Sequence, residues 1–177
     1  MDPAGFERTF GGLIRARLDW SRLRALAASG RVKVADEVVL DRHRLAALDT
    51  VWYVDGSGAP TDHHRPGAVN LRVGQAAELA SGEPLIAGWE ARGKRLVELQ
   101  TSLRASGGPV VLALPAYRIG GGRALLLDGT HRVVAAVGAR LPVRTVLFTL
   151  HGPLDPEILP DLRHHRPASA AGGRGAG

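Results

Sequence analysis

Ala124-Leu125-Leu126-Leu127-Asp128-Gly129-Thr130-His131-Arg132-Val133-Val134-Ala135-Ala136 changes character twice along its length. The first four residues are all apolar, as a strand buried on both faces requires. Asp128-Gly129-Thr130 is turn chemistry. From His131 to Ala139 the pattern is helical, and Leu141-Pro142 ends it. A helix that starts directly after a strand and a glycine leaves its first N–H groups without intrahelical partners. Its dipole adds partial positive charge at the same place, and together these make an anion site. Gly129 lets a phosphate approach the backbone closely. Thr130 offers a hydroxyl, and His131 and Arg132 offer side-chain donors, the guanidinium with two parallel N–H groups. Asp128 fits beside an anion if it holds Mg2+, orders a loop, or acts as base toward a substrate hydroxyl. An N-cap at Asp128 or Thr130 with a turn at Gly129 also accounts for the first three residues. It leaves His131 and Arg132 unexplained.

Working outward, Val110 to Leu114 reads as a strand and leads through Tyr117-Arg118-Ile119 to a Gly120-Gly121-Gly122 turn. That turn is no P-loop, because no Gly-Lys-Ser/Thr follows. Arg118 and Arg123 flank it, within reach of a nucleotide or of solvent. Val143 to Leu150 is a further strand. Upstream, Trp89 to Ala105 predicts a helix with Trp89, Leu96, Leu99 and Leu103 near one face. Ser106-Gly107-Gly108-Pro109 ends it. Val69 to Val73 predicts a short strand, and Gln75 to Ala80 a helical turn carrying Glu78. After Leu150 comes a short helical piece between prolines. From Pro167 the Ala, Gly and Ser composition predicts a disordered tail.

The N-terminal third predicts one amphipathic helix over Phe6 to Ser29, with Gly11-Gly12 as its weak point. Val32-Lys33-Val34, Val38-Val39-Leu40 and Thr50 to Val54 read as strands, with a turn at Asp55 to Pro60. Residues 1–67 are thus expected as a helix and β-hairpin extension beside a main domain over 68–166, with the tail at 167–177. Asp62, His63 and His64 are metal-ligating types. Adjacent loop histidines point apart as often as together, and no His-x-x-x-His follows, so the stretch reads as a polar loop. His43 and His151 are isolated, and His164-His165 adjoins the tail, so none of them is assigned a role. Trp20, Trp52 and Trp89 read as core or pocket walls.

Composition bounds the function. The chain has 177 residues, 45% of them apolar and 5% aromatic, enough for a core built mainly of Leu, Val and Ala. Few aromatics argue against base stacking on single strands. A formal charge of +6, nearly all arginine, favours phosphorylated or polyanionic partners. The chain lacks cysteine, which excludes disulfides, thiolate metal sites and cysteine nucleophiles. With no apolar leader and no run near the roughly 18 residues of a membrane span, a cytoplasmic protein without membrane contact is expected.

The order helix, Gly-Gly-Pro, strand, glycine turn, strand, Asp-Gly-Thr-His-Arg-Val-Val-Ala-Ala, strand resembles the ParB/sulfiredoxin superfamily over Ala68 to Gly152. The resemblance implies an α/β (α+β) fold, a small mixed sheet with packed helices. Gly129, His131 and Arg132 match the sulfiredoxin motif, which binds ATP phosphates. Asp128, Gly129, His131 and Arg132 match the free-serine kinases of the superfamily, the closest group by motif. ParB proteins, by the same resemblance, imply CTP. Thr130 stands where sulfiredoxin has its catalytic cysteine, so that repair chemistry is excluded. No helix-turn-helix follows Leu150, so sequence-specific DNA binding of the ParB kind is not expected. The kinases place a catalytic Glu just after their first strand; the nearest here is Glu78.

These readings give an expected nucleotide-dependent phosphotransferase. Gly129, Thr130, His131 and Arg132 hold the phosphates of ATP, ADP or CTP. Asp128 serves Mg2+ or acts as base, and Asp128, His131 and Glu78 are the catalytic candidates toward a small-molecule acceptor. The alternative is a non-catalytic nucleotide- or DNA-binding accessory protein. Whether the chain acts alone or as a homodimer is left open.

Overall fold

The structure is a computed structural model and describes residues 1–14, 18–81 and 87–165. The tail expected from Pro167 lies outside the described residues.

Helix α1 (Pro3–Phe10) begins with proline at its first positions and Asp2 as N-cap, whose Oδ1 accepts from the Gly5 N–H at 2.7 Å. Helix α2 (Trp20–Ala28) has its own cap, Asp19 Oδ1 accepting from the Arg22 N–H at 2.9 Å. The single helix expected over Phe6 to Ser29 is therefore two. Gly11 and Gly12 form the turn that ends the first, and the Asp19 cap restarts the second. The apolar stripe survives the break: Phe6, Phe10, Ile14, Leu18 and Leu23 are all buried.

The remaining elements are β1 (Lys33–Val39), α3 (Arg42–Ala46), β2 (Asp49–Val54), β3 (Pro60–Thr61), β4 (Val69–Arg72), α4 (Val73–Ser81), α5 (Glu90–Ala105), β5 (Val110–Gly120), β6 (Arg123–Leu126), α6 (Thr130–Gly138) and β7 (Val143–His151). A six-residue 3-10 helix follows over Pro160–His165. The strands form one mixed sheet in the order β1-β7-β5-β6-β2-β3, with β4 also on β2. The α+β class expected from the sequence is present.

β1 and β2 do not form a hairpin with each other. Their connection contains α3, too long for a tight turn. β1 instead runs antiparallel to β7 at the sheet edge, from Lys33 opposite His151 to Val39 opposite Thr145. β2 lies parallel to β6, with Asp49 opposite Leu125. The hairpin of this third is β2–β3, closed by Asp55 Oδ1, which accepts from the N–H groups of Ser57 (2.8 Å) and Ala59 (3.1 Å). Strands from both sides of residue 67 thus alternate in one sheet, so the expected extension is woven into it.

Both sheet faces are covered. Ala124 and Leu126 point into a core shared with α3 to α6. Leu125 and Leu127 point into a second core with Phe6, Phe10, Leu23 and Leu162 from α1, α2 and the 3-10 helix. Strand alternation explains the split, and it is why the run is apolar throughout. Each leucine buried this fully contributes about 1.5–3 kcal/mol relative to exposure. No helix of the described residues is long and apolar enough to cross a membrane.

Candidate phosphate site at the start of α6

The Leu127 N–H donates to the Pro115 carbonyl at 2.9 Å and closes the ladder between β5 and β6. Gly129 then takes φ +80°, a left-handed conformation that only glycine adopts without strain. A Cβ there would lie 2.5 Å from Leu114 Cδ2, so any side chain would force Leu114 or the turn to shift. The Gly129 carbonyl accepts from the Val133 N–H at 3.0 Å, and α6 is under way. No side chain caps its start. Gly129 and Thr130 are buried, His131 is half-buried and Arg132 is exposed, so the turn opens on the His131–Arg132 side.

Two side chains mark this opening. Thr130 is 5% exposed, and its Oγ1 is buried without a hydrogen-bond partner. A buried hydroxyl in that condition costs about 1–3 kcal/mol unless something completes it. Arg132 folds back over the turn: its Nη2 is 3.5 Å from the position a Gly129 Cβ would take and 3.7 Å from Asp128 Oδ2. With both partners near half exposure, that pair is worth a few tenths of a kcal/mol. The guanidinium therefore stays beside the helix start, free to exchange this contact for a better one.

The neighbourhood is more basic than the motif alone suggests. The His131 ring packs edge-on against Trp52, with centroids 4.7 Å apart. Trp52 packs edge-on against the buried Trp89 at 6.0 Å, and the Arg92 guanidinium lies over both rings at 5.2 and 5.4 Å. Burial pulls the His131 imidazole below its usual value of 6.5, and the charges of Arg95 and Arg92 push it further down against the opposing pull of Asp128. Burial also lowers Arg92. Arg92 and Arg95, three apart on α5, thus face the site from one side of that helix. Sequence reading assigned them no part in the site; their spacing and the arginine excess were the available signal. Trp52 and Trp89 are walls, as expected.

The depressed His131 value has a consequence for stability. Below 6.5 the unfolded chain takes up a proton that the folded His131 resists, so stability rises with pH through that window and levels off above it. His165 is lowered too, chiefly by burial, and adds to the same slope. The variant His131→Gln should therefore show a flatter rise in melting temperature between about pH 5 and 7 than the parent chain. An unchanged slope would show that His131 titrates freely.

Glu78 has no contact with this constellation among the hydrogen bonds and ion pairs of the described residues. It is exposed on α4, and its neighbour Ala77 packs at 3.4 Å against the position a Gly138 Cβ would occupy, at the far end of α6. At 1.5 Å rise per residue that end is about 12 Å from Thr130. Asp128 is thus the one carboxylate of the expected set at the turn. Magnesium there would rest on a single carboxylate plus ligand phosphates, the usual arrangement for that ion.

Asp62, His63 and His64 do converge, with ligand atoms within 4.8 Å of one another. Their surroundings fit a clasp better than a metal site. Arg163 Nη2 lies 2.7 Å from His64 Nδ1 and can only donate, so Nδ1 accepts and the ring proton sits on Nε2, the atom that faces Asp62. A metal-bound histidine needs the opposite, an acceptor on its second nitrogen. His164 Nε2 bonds the His63 carbonyl at 2.9 Å, and the Tyr53 hydroxyl donates to Asp161 Oδ1 at 2.8 Å. Burial and then the Asp161 charge hold the Tyr53 phenol protonated. His164 is therefore a structural tie between the 3-10 helix and the loop after β3, a role the sequence did not suggest.

The chain matches no protein-family model, no curated protein and no solved structure.

Proposed function

We propose that this protein binds the phosphates of a nucleoside triphosphate or diphosphate on the first turn of α6 and transfers a phosphoryl group to a small-molecule acceptor. The observation that carries the reading is the buried, unpartnered Thr130 hydroxyl beside a left-handed Gly129 at an uncapped helix start. A phosphate oxygen would complete that hydroxyl and meet the first-turn amides, and Arg132 would leave its weak contact with Asp128 to grip the same group. Arg92 and Arg95 add positive potential from α5, where charge develops in phosphoryl transfer. Asp128, part-exposed at the mouth, would hold Mg2+ with the phosphates or take the acceptor proton. The similarity of Asp128-Gly129-Thr130-His131-Arg132 to the ParB/sulfiredoxin motif supports the same reading.

The exposure of Glu78 on α4 favours one alternative, a nucleotide-binding accessory protein without chemistry, since among the described residues no second carboxylate is held at the turn beside Asp128. Melting curves with ATP, ADP, CTP and GTP, each with and without Mg2+, test the proposal. A nucleotide that binds the folded chain raises its melting temperature by mass action, by about 2.7 kcal/mol of stability at a hundredfold excess over Kd. Unmoved curves with all four remove the proposal. A shift without turnover selects the accessory reading.

A further inference from the structure

The groove at the opposite end of β6 has no part in the phosphate site. Arg123 opens that strand and Asp128 follows its close, so the two places lie at opposite ends of it. The groove has a volume of about 310 Å3, at the lower limit of small-molecule pockets. Its floor is apolar, formed by the buried Val39, Ala124 and Leu147 where the main core reaches the sheet's end. Its rim carries three arginines. Arg44 is held by Glu37 at 2.8 Å, and Arg123 is held through Nε at 3.0 Å by the fully buried Asp49. Arg118, on β5 opposite Ala124, is half-buried and has no ion-pair partner among the described residues.

We infer that this groove is a second ligand site, for a small amphipathic anion whose apolar body lies on the Ala124–Leu147 floor and whose carboxylate or sulfonate head meets Arg118. Glu37 does not oppose such a ligand, because Arg44 neutralises it. Arg123 is committed to Asp49, so Arg118 is the cation that selects the charge. A guanidinium with both parallel N–H groups unengaged suits a planar carboxylate, and a partly dehydrated site strengthens the contact. The inference does not rest on the nucleotide reading.

The probe is 1-anilinonaphthalene-8-sulfonate, an apolar ring system with one sulfonate. In the wild-type chain its binding should shift amide resonances at Val39, Gly121, Ala124 and Thr149 and leave those of Gly129 to Arg132 in place. Arg118→Glu should weaken its fluorescence-detected affinity by about tenfold or more, while Arg132→Ala leaves it unchanged. Absence of binding overturns the inference, as does equal affinity in a folded Arg118→Glu. Shifts centred on the smaller apolar groove between α1 and α2, at Trp20, Leu23 and Leu150, overturn it as well. The wild-type amide shifts decide the matter even if the variant does not fold.

Discussion

Replacing Gly129 by alanine should cost about 2–4 kcal/mol of stability, while the same change at Gly122 should cost about 1–2 kcal/mol. Both glycines have nearly the same left-handed φ, +80° and +79°. The backbone penalty for an L-residue is therefore common to both. They differ in what a new methyl would meet. At Gly122 nothing lies within 4 Å; at Gly129 the methyl would land 2.5 Å from Cδ2 of the fully buried Leu114. Leu114 is fully buried on β5, so either the leucine leaves its rotamer or the turn moves. Urea denaturation of the two variants separates the effects, since the difference in midpoint at equal slope isolates the contact with Leu114. Equal losses would mean that Leu114 yields easily and that the turn is not held by the core. Because the same turn aims the first amides of α6, Gly129→Ala should also abolish phosphate binding at concentrations that saturate the parent.

The second large effect concerns the division of labour between neighbours four residues apart. Arg132→Ala should weaken nucleotide binding by about 10- to 100-fold, the size of a lost charge-assisted bidentate contact. Its effect on stability should stay under about 1 kcal/mol, because the contact it loses with Asp128 is long and exposed. Asp128→Asn should do the reverse. Binding is retained or strengthened, since a negative charge beside the phosphates is gone, while turnover falls by about 100-fold or more. Isothermal titration and a product assay on the two variants measure the split. Full turnover in Asp128→Asn would remove Asp128 from the chemistry.

Legibility in the sequence followed the locality of the interactions. The run from Ala124 to Ala136 could be read because strand, turn and helix each carry their own signal, and the observed bounds differ from the expected ones by about a residue. β5 was harder. A strand expected to stop at Leu114 continues to Gly120 through Pro115, in the interior of the sheet. The proline is tolerated because its carbonyl takes the Leu127 N–H just where β6 ends, so the N–H it lacks would have faced the close of that ladder. The pairing of β1 with β7 and of β2 with β6 could not be read locally, because in each the partner strand lies some seventy or more residues away. The same holds for the site. Its motif lies in one stretch, but Trp52, Arg92 and Arg95 arrive through the packing of α5 on α6 and of β2 beside β6. Glu78 was assigned by order along the chain alone, and it stands exposed on α4, next to an Ala77 that packs near the C-terminal end of α6.

The most direct measurement is a titration with ATP and Mg2+ followed amide by amide. The account predicts the largest shifts at Thr130, His131 and Arg132, with smaller ones at Arg92 and Arg95, and their loss in Arg132→Ala. Shifts confined to other parts of the molecule, with those three amides unmoved at saturation, would contradict it.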